Sequence, residues 1–139
     1  MQKLYISITV LFLTFTLFAN ASTSNTMTSE LMMIVKQQQY LAKKVSDDYI
    51  AFQADQKNAN KKMKMKKSIQ SFNKNHLKLI TNKNNTKMIN QKLTKVDKIW
   101  KIAHKLSETK KHSVMLVTSM DDIGLKMKEL RSLYQKTSK

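Results

Sequence analysis

Apolar residues recur along this chain at steps of three and four. From Leu31 to Phe52 they fall at Leu31, Ile34, Val35, Leu41, Val45, Tyr49 and Phe52, which is one face of a helix. Thr28 or Ser29 is placed to cap that helix, with Glu30 in its first turn, and the pattern carries it to about Asp55. One position on the stripe, Gln38, is polar, inside the run Lys36-Gln37-Gln38-Gln39. Asn58-Ala59-Asn60 then interrupts the pattern. A second stripe follows at Met65, Ile69, Phe72, His76 and Leu79, predicting a helix from about Lys61 to Ile80. Thr81 to Asn85, TNKNN, reads as a loop. A third stripe, Ile89, Leu93, Val96, Trp100 and Ala103, flanked by Ile99, Ile102 and Leu106, predicts a helix from about Thr86 to Glu108. After a short break at Thr109 to Ser113, the fourth stripe is Leu116, Met120, Ile123, Met127, Leu130 and Tyr134. Gly124 sits inside it, either to let another helix approach closely or as a tolerated cost.

Four amphipathic segments joined by short loops predict an all-α fold, an up-down-up-down four-helix bundle with the shallow crossing angles of left-handed packing. The alternative is a long helical hairpin that dimerises into a bundle, and the breaks at TNKNN and Thr109 to Ser113 argue against it. The composition agrees with the bundle. With no Pro and one Gly in 139 residues, the turns of an all-β fold have no material. With no Cys there is no disulfide, no thiol chemistry and no c-type haem attachment.

Residues 1–21 carry a different pattern. Lys3 supplies a positive start, Ile6 to Phe18 an apolar run and Ala19-Asn20-Ala21 an A-x-A cleavage site, the parts of a secretory signal peptide. The apolar run is shorter than the ~20 residues a spanning helix needs. Cleavage after Ala21 leaves residues 22–139 as one domain, exported to the periplasm or secreted. Ser22 to Thr28 is polar and reads as a frayed terminus.

The net charge is +17, and it is unevenly placed. Lys57 to His112 holds 17 lysines and two acids, a net of +15. Lys61, Lys62, Lys64, Lys66 and Lys67 crowd the start of the second helix, the end where the helix dipole disfavours cations. Local stability does not explain them. Either they bind an anionic surface or they form a solvated, compositionally Lys-rich face. Nucleic acid is a poor candidate partner, because neither stacking aromatics nor a recognition helix accompanies the lysines.

The first helix also resembles a known family. Val35-Lys36-Gln37-Gln38-Gln39-Tyr40-Leu41-Ala42-Lys43-Lys44-Val45-Ser46-Asp47-Asp48-Tyr49-Ile50 is similar to the A-G-R-Q-R-M-L-S-Q-R-M-A-K-x-Y-L pattern of the PilJ-type N-terminal sensor domain. That domain occurs in type IV pili methyl-accepting chemotaxis transducers and, in related form, in NarX-like nitrate sensors. SIQSFNKNHLKLI and INQKLTKVDKIW resemble its second and third helices, and the fourth matches in periodicity. The resemblance covers nearly all of residues 22–139. It implies a four-helix sensor module that binds a small anion such as nitrate or nitrite near Lys36–Gln39 and presents its state to a membrane-embedded signalling partner, itself or as a homodimer. Two departures stand out. No second membrane segment follows, and Gln37 and Gln39 occupy the positions of the family's two arginines, replacing a forked cation with a neutral amide.

Other chemistry is weighed against simpler readings. Lys36, Gln37, Gln38 and Gln39 form either a ligand site or a polar face with one buried glutamine. His104, Glu108 and His112 would line one face of an unbroken helix and suit a metal, but the helix is expected to end near Glu108. Met63 and Met65 suit copper, though Met65 fits the core stripe. Haem finds no His on the last helix, and His76 fits a core position. Asp47-Asp48 and Asp121-Asp122 are adjacent pairs that point to different helix faces, so acid–base catalysis has no support. The expectation is a non-enzymatic sensor-type binding module without a cofactor; the rival is a basic structural or adaptor protein that docks on anionic surfaces.

Overall fold

The computed structural model describes the backbone of residues 5–137 and the side chains of residues 26–137. The protein is all-α: α1 (Tyr5–Ala54), α2 (Ala59–Ile80), α3 (Lys87–Ser107) and α4 (Ser113–Thr137). Each helix packs against its neighbours in a ring: α1 against α2 and α4, and α3 against α4 and, more sparsely, α2. Short connections make successive helices antiparallel. This is the up-down-up-down bundle that the four stripes predict.

The stripes become the core. Met65, Ile69, Phe72, His76 and Leu79 of α2 are buried, as are Ile89, Leu93, Val96, Trp100 and Ala103 of α3. All six stripe positions of α4 are buried too. On α1 the buried set runs from Leu31 to Tyr49, and Phe52 is half-buried at its end. Ile102, placed beside the α3 stripe, is instead exposed. Two residues after Trp100 and one before Ala103, it turns away from the buried face by helical geometry.

One boundary differs from the sequence reading. α1 continues through Thr28 and Ser29 without a cap, back to Tyr5, so residues 22–28 are helical rather than frayed. No Pro or Gly interrupts this stretch, and a helix already nucleated by the bundle extends at low cost. The leader assigned to residues 1–21 begins outside the described residues; from Tyr5 its backbone continues α1. Among residues 26–137, whose side chains are described, every buried residue lies between Leu31 and Tyr134. No helix among the described residues is long and apolar enough to cross a membrane.

The turns are set by polar side chains. Asn58 caps α2, its Oδ1 accepting from Lys61 N at 3.1 Å, and its amide donates to Asp55 Oδ2 at 3.1 Å. Thr86 caps α3, accepting from Ile89 N at 3.3 Å. A tyrosine from a distant helix pins each of the two later connections. Tyr49 of α1 donates to Thr109 O at 2.6 Å, and Tyr134 of α4 donates to Asn85 Oδ1 at 2.6 Å. Burial pushes the Tyr134 phenol up to about 12.

Candidate functional site

Consecutive residues of a helix point about 100° apart, and the run Lys36–Gln39 is divided accordingly. Lys36 is exposed. Gln37 lies in the groove between α1 and α2, where its Oε1 accepts from Asn75 Nδ2 at 3.2 Å. Gln38 is fully buried, and its Nε2 donates to Phe72 O of α2 at 3.1 Å. Gln39 lines a different groove, between α1 and α4, with Lys43, Asp121 and Lys128. The structure therefore does not gather these four side chains around one point. Gln38 is a cross-link between helices, and its Oε1 is buried without a partner among the described residues.

The same layer holds a second buried polar group. His76 of α2 is 1% exposed, and its Nε2 meets Asp97 Oδ1 of α3 at 3.1 Å. Burial lowers the His76 pKa, opposed by Asp97, and the net shift is downward. The ring is therefore neutral near pH 7, with Nε2–H donating to the carboxylate and Nδ1 left as a buried acceptor without a donor. Asp97 is held below the usual carboxylate range. Desolvation works against this, and hydrogen bonds from Lys101 and His76 outweigh it. Phe72 packs on Trp100 with ring centroids 4.2 Å apart, and Trp100 Nε1 donates to Asn73 Oδ1 at 3.1 Å. These side chains fill the space between α2 and α3 at mid-height.

Towards the α1–α2 turn the filling stops. There α3 offers only Ala103 and Ser107 at its buried face. The bulky ring pair above holds the helices apart, and small residues below leave a gap. The result is a cleft of about 490 Å³ lined by Phe52 of α1, Lys62, Met65, Lys66, Ile69 and Gln70 of α2, and His104, Ser107 and Glu108 of α3 and its cap. Its floor is apolar (Phe52, Met65, Ile69). Lys62 and Lys66, one helical turn apart, stand at its edge, and neither has an ion pair among the described residues.

The lysine run of α2 is thus divided by role. Lys61 pairs with Asp55 at 3.2 Å, Lys62 and Lys66 border the cleft, and Lys64 and Lys67 are exposed elsewhere on the helix. Of the suggested metal trio, His104 and Glu108 reach the cleft, but α3 ends at Ser107 and His112 lies beyond the turn. No group of three His, Cys, Asp or Glu side chains suited to a metal occurs among the described residues. Met65 is buried in the core and Met63 is half-exposed at 48%. Three of the four carboxylates named for acid–base chemistry pair with lysines one turn away on the same helix: Asp47 with Lys43, Asp48 with Lys44 and Asp122 with Lys126.

Sequence reasoning missed the cleft because its lining is drawn from three helices and from small residues as much as large ones. The one local signal was a large aromatic, Trp100, followed along the same stripe by Ala103 and Ser107. In comparisons with protein-family models, curated proteins and solved structures, nothing matches this chain. The resemblance to the PilJ-type sensor domain rests on the motif positions alone.

Proposed function

We propose that the chain, once its leader is removed, is an exported, non-catalytic sensor-type binding module. Its ligand is a small anion, and its site is the α2–α3 cleft rather than Lys36–Gln39. The observation that carries this is the pairing of Lys62 and Lys66, neither of which has an ion pair among the described residues, with an apolar floor of Phe52, Met65 and Ile69. A pocket with apolar walls and a few convergent polar groups is the common form of a small-molecule site. A carboxylate with an apolar body matches this lining. Nitrate and nitrite, the ligands implied by the family resemblance, match its charge but leave the floor uncovered. Gln70 and His104 add hydrogen-bonding groups at the rim. A ligand wedged here touches α2 and α3, the least closely packed adjacent pair, so its binding would change how they sit against each other. That change is what a membrane partner would read.

The test is a thermal-shift panel on residues 22–139 at matched ionic strength, with nitrate, nitrite, chloride, sulfate, benzoate and octanoate as probes. A selective rise with benzoate or octanoate is expected, lost in Lys62→Ala/Lys66→Ala and kept in Gln37→Ala. Ligand at a hundred times its Kd adds about 2.7 kcal/mol, well within detection. A rise confined to nitrate or nitrite and lost in Gln37→Ala would return the site to the first helix. A rise that follows anion charge alone would remove the site altogether.

A further inference from the structure

Both ends of the bundle expose cations, and one end gathers more of them. That end is made by the α1–α2 turn, the α3–α4 turn, the first turns of α2 and α4 and the last turn of α3. The topology brings to it Lys57, Lys62, Lys64, Lys105, Lys110 and Lys111, which the sequence keeps in separate segments. All six are exposed, and none has an ion pair among the described residues. The carboxylates at this end are Asp55, already bound by Lys61, and Glu108. The same end exposes three apolar side chains: Met63 at 48%, Met115 at 54% and Val114 at 79%, the last the most exposed large apolar residue among those described. Val114 and Met115 stand in the first turn of α4, directly after the Lys110-Lys111 turn.

We propose that this end docks the protein on an anionic lipid bilayer. The lysines meet headgroup phosphates, and Val114 and Met115 enter the interface between headgroups and acyl chains. The arrangement is that of an interfacial anchor, apolar tips set within a ring of cations. Charge complementarity selects the anionic surface, and the exposed aliphatic side chains select lipid over nucleic acid. A single-strand reader needs exposed aromatics or arginines for stacking. This end offers neither: Tyr49 is buried, Phe52 faces the cleft, and the one arginine, Arg131, lies near the opposite end of α4. The proposal goes beyond ligand binding in the cleft and stands without it.

Flotation of residues 22–139 with vesicles tests it. Vesicles of phosphatidylcholine alone are compared with vesicles that also contain phosphatidylglycerol, after circular dichroism verifies that each variant is helical. The protein is expected to float with the anionic vesicles and not with the neutral ones. Lys110→Glu/Lys111→Glu should weaken partitioning by at least roughly fivefold per lysine and flatten its salt dependence. Val114→Asp/Met115→Asp should weaken it while the salt dependence persists. Lys83→Glu/Lys87→Glu, the same charge change at the opposite end, should retain most of the binding. Equal loss in that control would overturn the proposal in favour of net charge alone. So would failure to float with anionic vesicles, or displacement from them by polyuridylate with the same sensitivity to Lys110→Glu/Lys111→Glu. None of the six substituted positions lines the α2–α3 cleft, so the thermal response to benzoate or octanoate remains a separate readout.

Discussion

His76 shows most plainly how a single residue's setting decides its chemistry. It occupies a core position, 1% exposed, between Phe72 on its own helix and Asp97 across the interface. Burial dominates, so its folded pKa lies below the ordinary value of 6.5. The unfolded chain therefore binds a proton more readily than the folded one between these two values. The stability this contributes is fully present above about pH 6.5 and is lost as pH falls through the folded pKa. Denaturation of residues 22–139 between about pH 8 and pH 5 should show stability falling with acidification, with a shallower fall in His76→Gln. An unchanged pH dependence in that variant would mean the imidazole is not the group that titrates. Gln38 is the companion case. Its place on the α1 stripe was legible in the sequence, but its partner was not, because a hydrogen bond to the Phe72 carbonyl depends on how α1 and α2 are set in register.

At the scale of elements, periodicity was sufficient. Helix order, the faces buried and the breaks at Asn58, TNKNN and Thr109 to Ser113 all follow from steps of three and four, because burial of a helical stripe is the main force that orders such a chain. What the pattern could not settle was the reason for Gly124. The structure decides it: a Cβ built there meets nothing within 4 Å, and the backbone does not have a positive φ. The glycine serves no close approach and costs helix propensity alone. Gly124→Ala is therefore expected to stabilise the protein by about 0.5–1 kcal/mol, read by urea denaturation. A loss of stability would mean that α4 packs more tightly at this point than the free space implies. The start of α1 was misjudged for a related reason. Thr28 and Ser29 are good caps, but a cap acts only where the chain leaves the helix, and here the helix continues.

For the whole molecule, the sequence carried the amount of charge but not its arrangement. The lysines of the α2 start and of the α3–α4 turn, tens of residues apart in the chain, share one end of the bundle because α2 and α3 run antiparallel. The cleft was equally hidden. It depends on Phe72 and Trp100 holding two helices apart while Ala103 and Ser107 leave the space below them empty, a property of a pair of helices rather than of either one. Lys36–Gln39, legible as a polar interruption, disperses to open surface, two different grooves and the core, and the lysines that border the α2–α3 cleft are Lys62 and Lys66. The central claim is that an anionic ligand enters that cavity. Amide chemical-shift mapping of isotopically labelled residues 22–139, titrated with whichever probe stabilises the protein most, tests it directly. The shifts are predicted to centre on Lys62, Lys66, Gln70, His104 and Ser107 and to saturate together. Shifts centred on Lys36 to Gln39, or spread over every lysine without saturation, would contradict it.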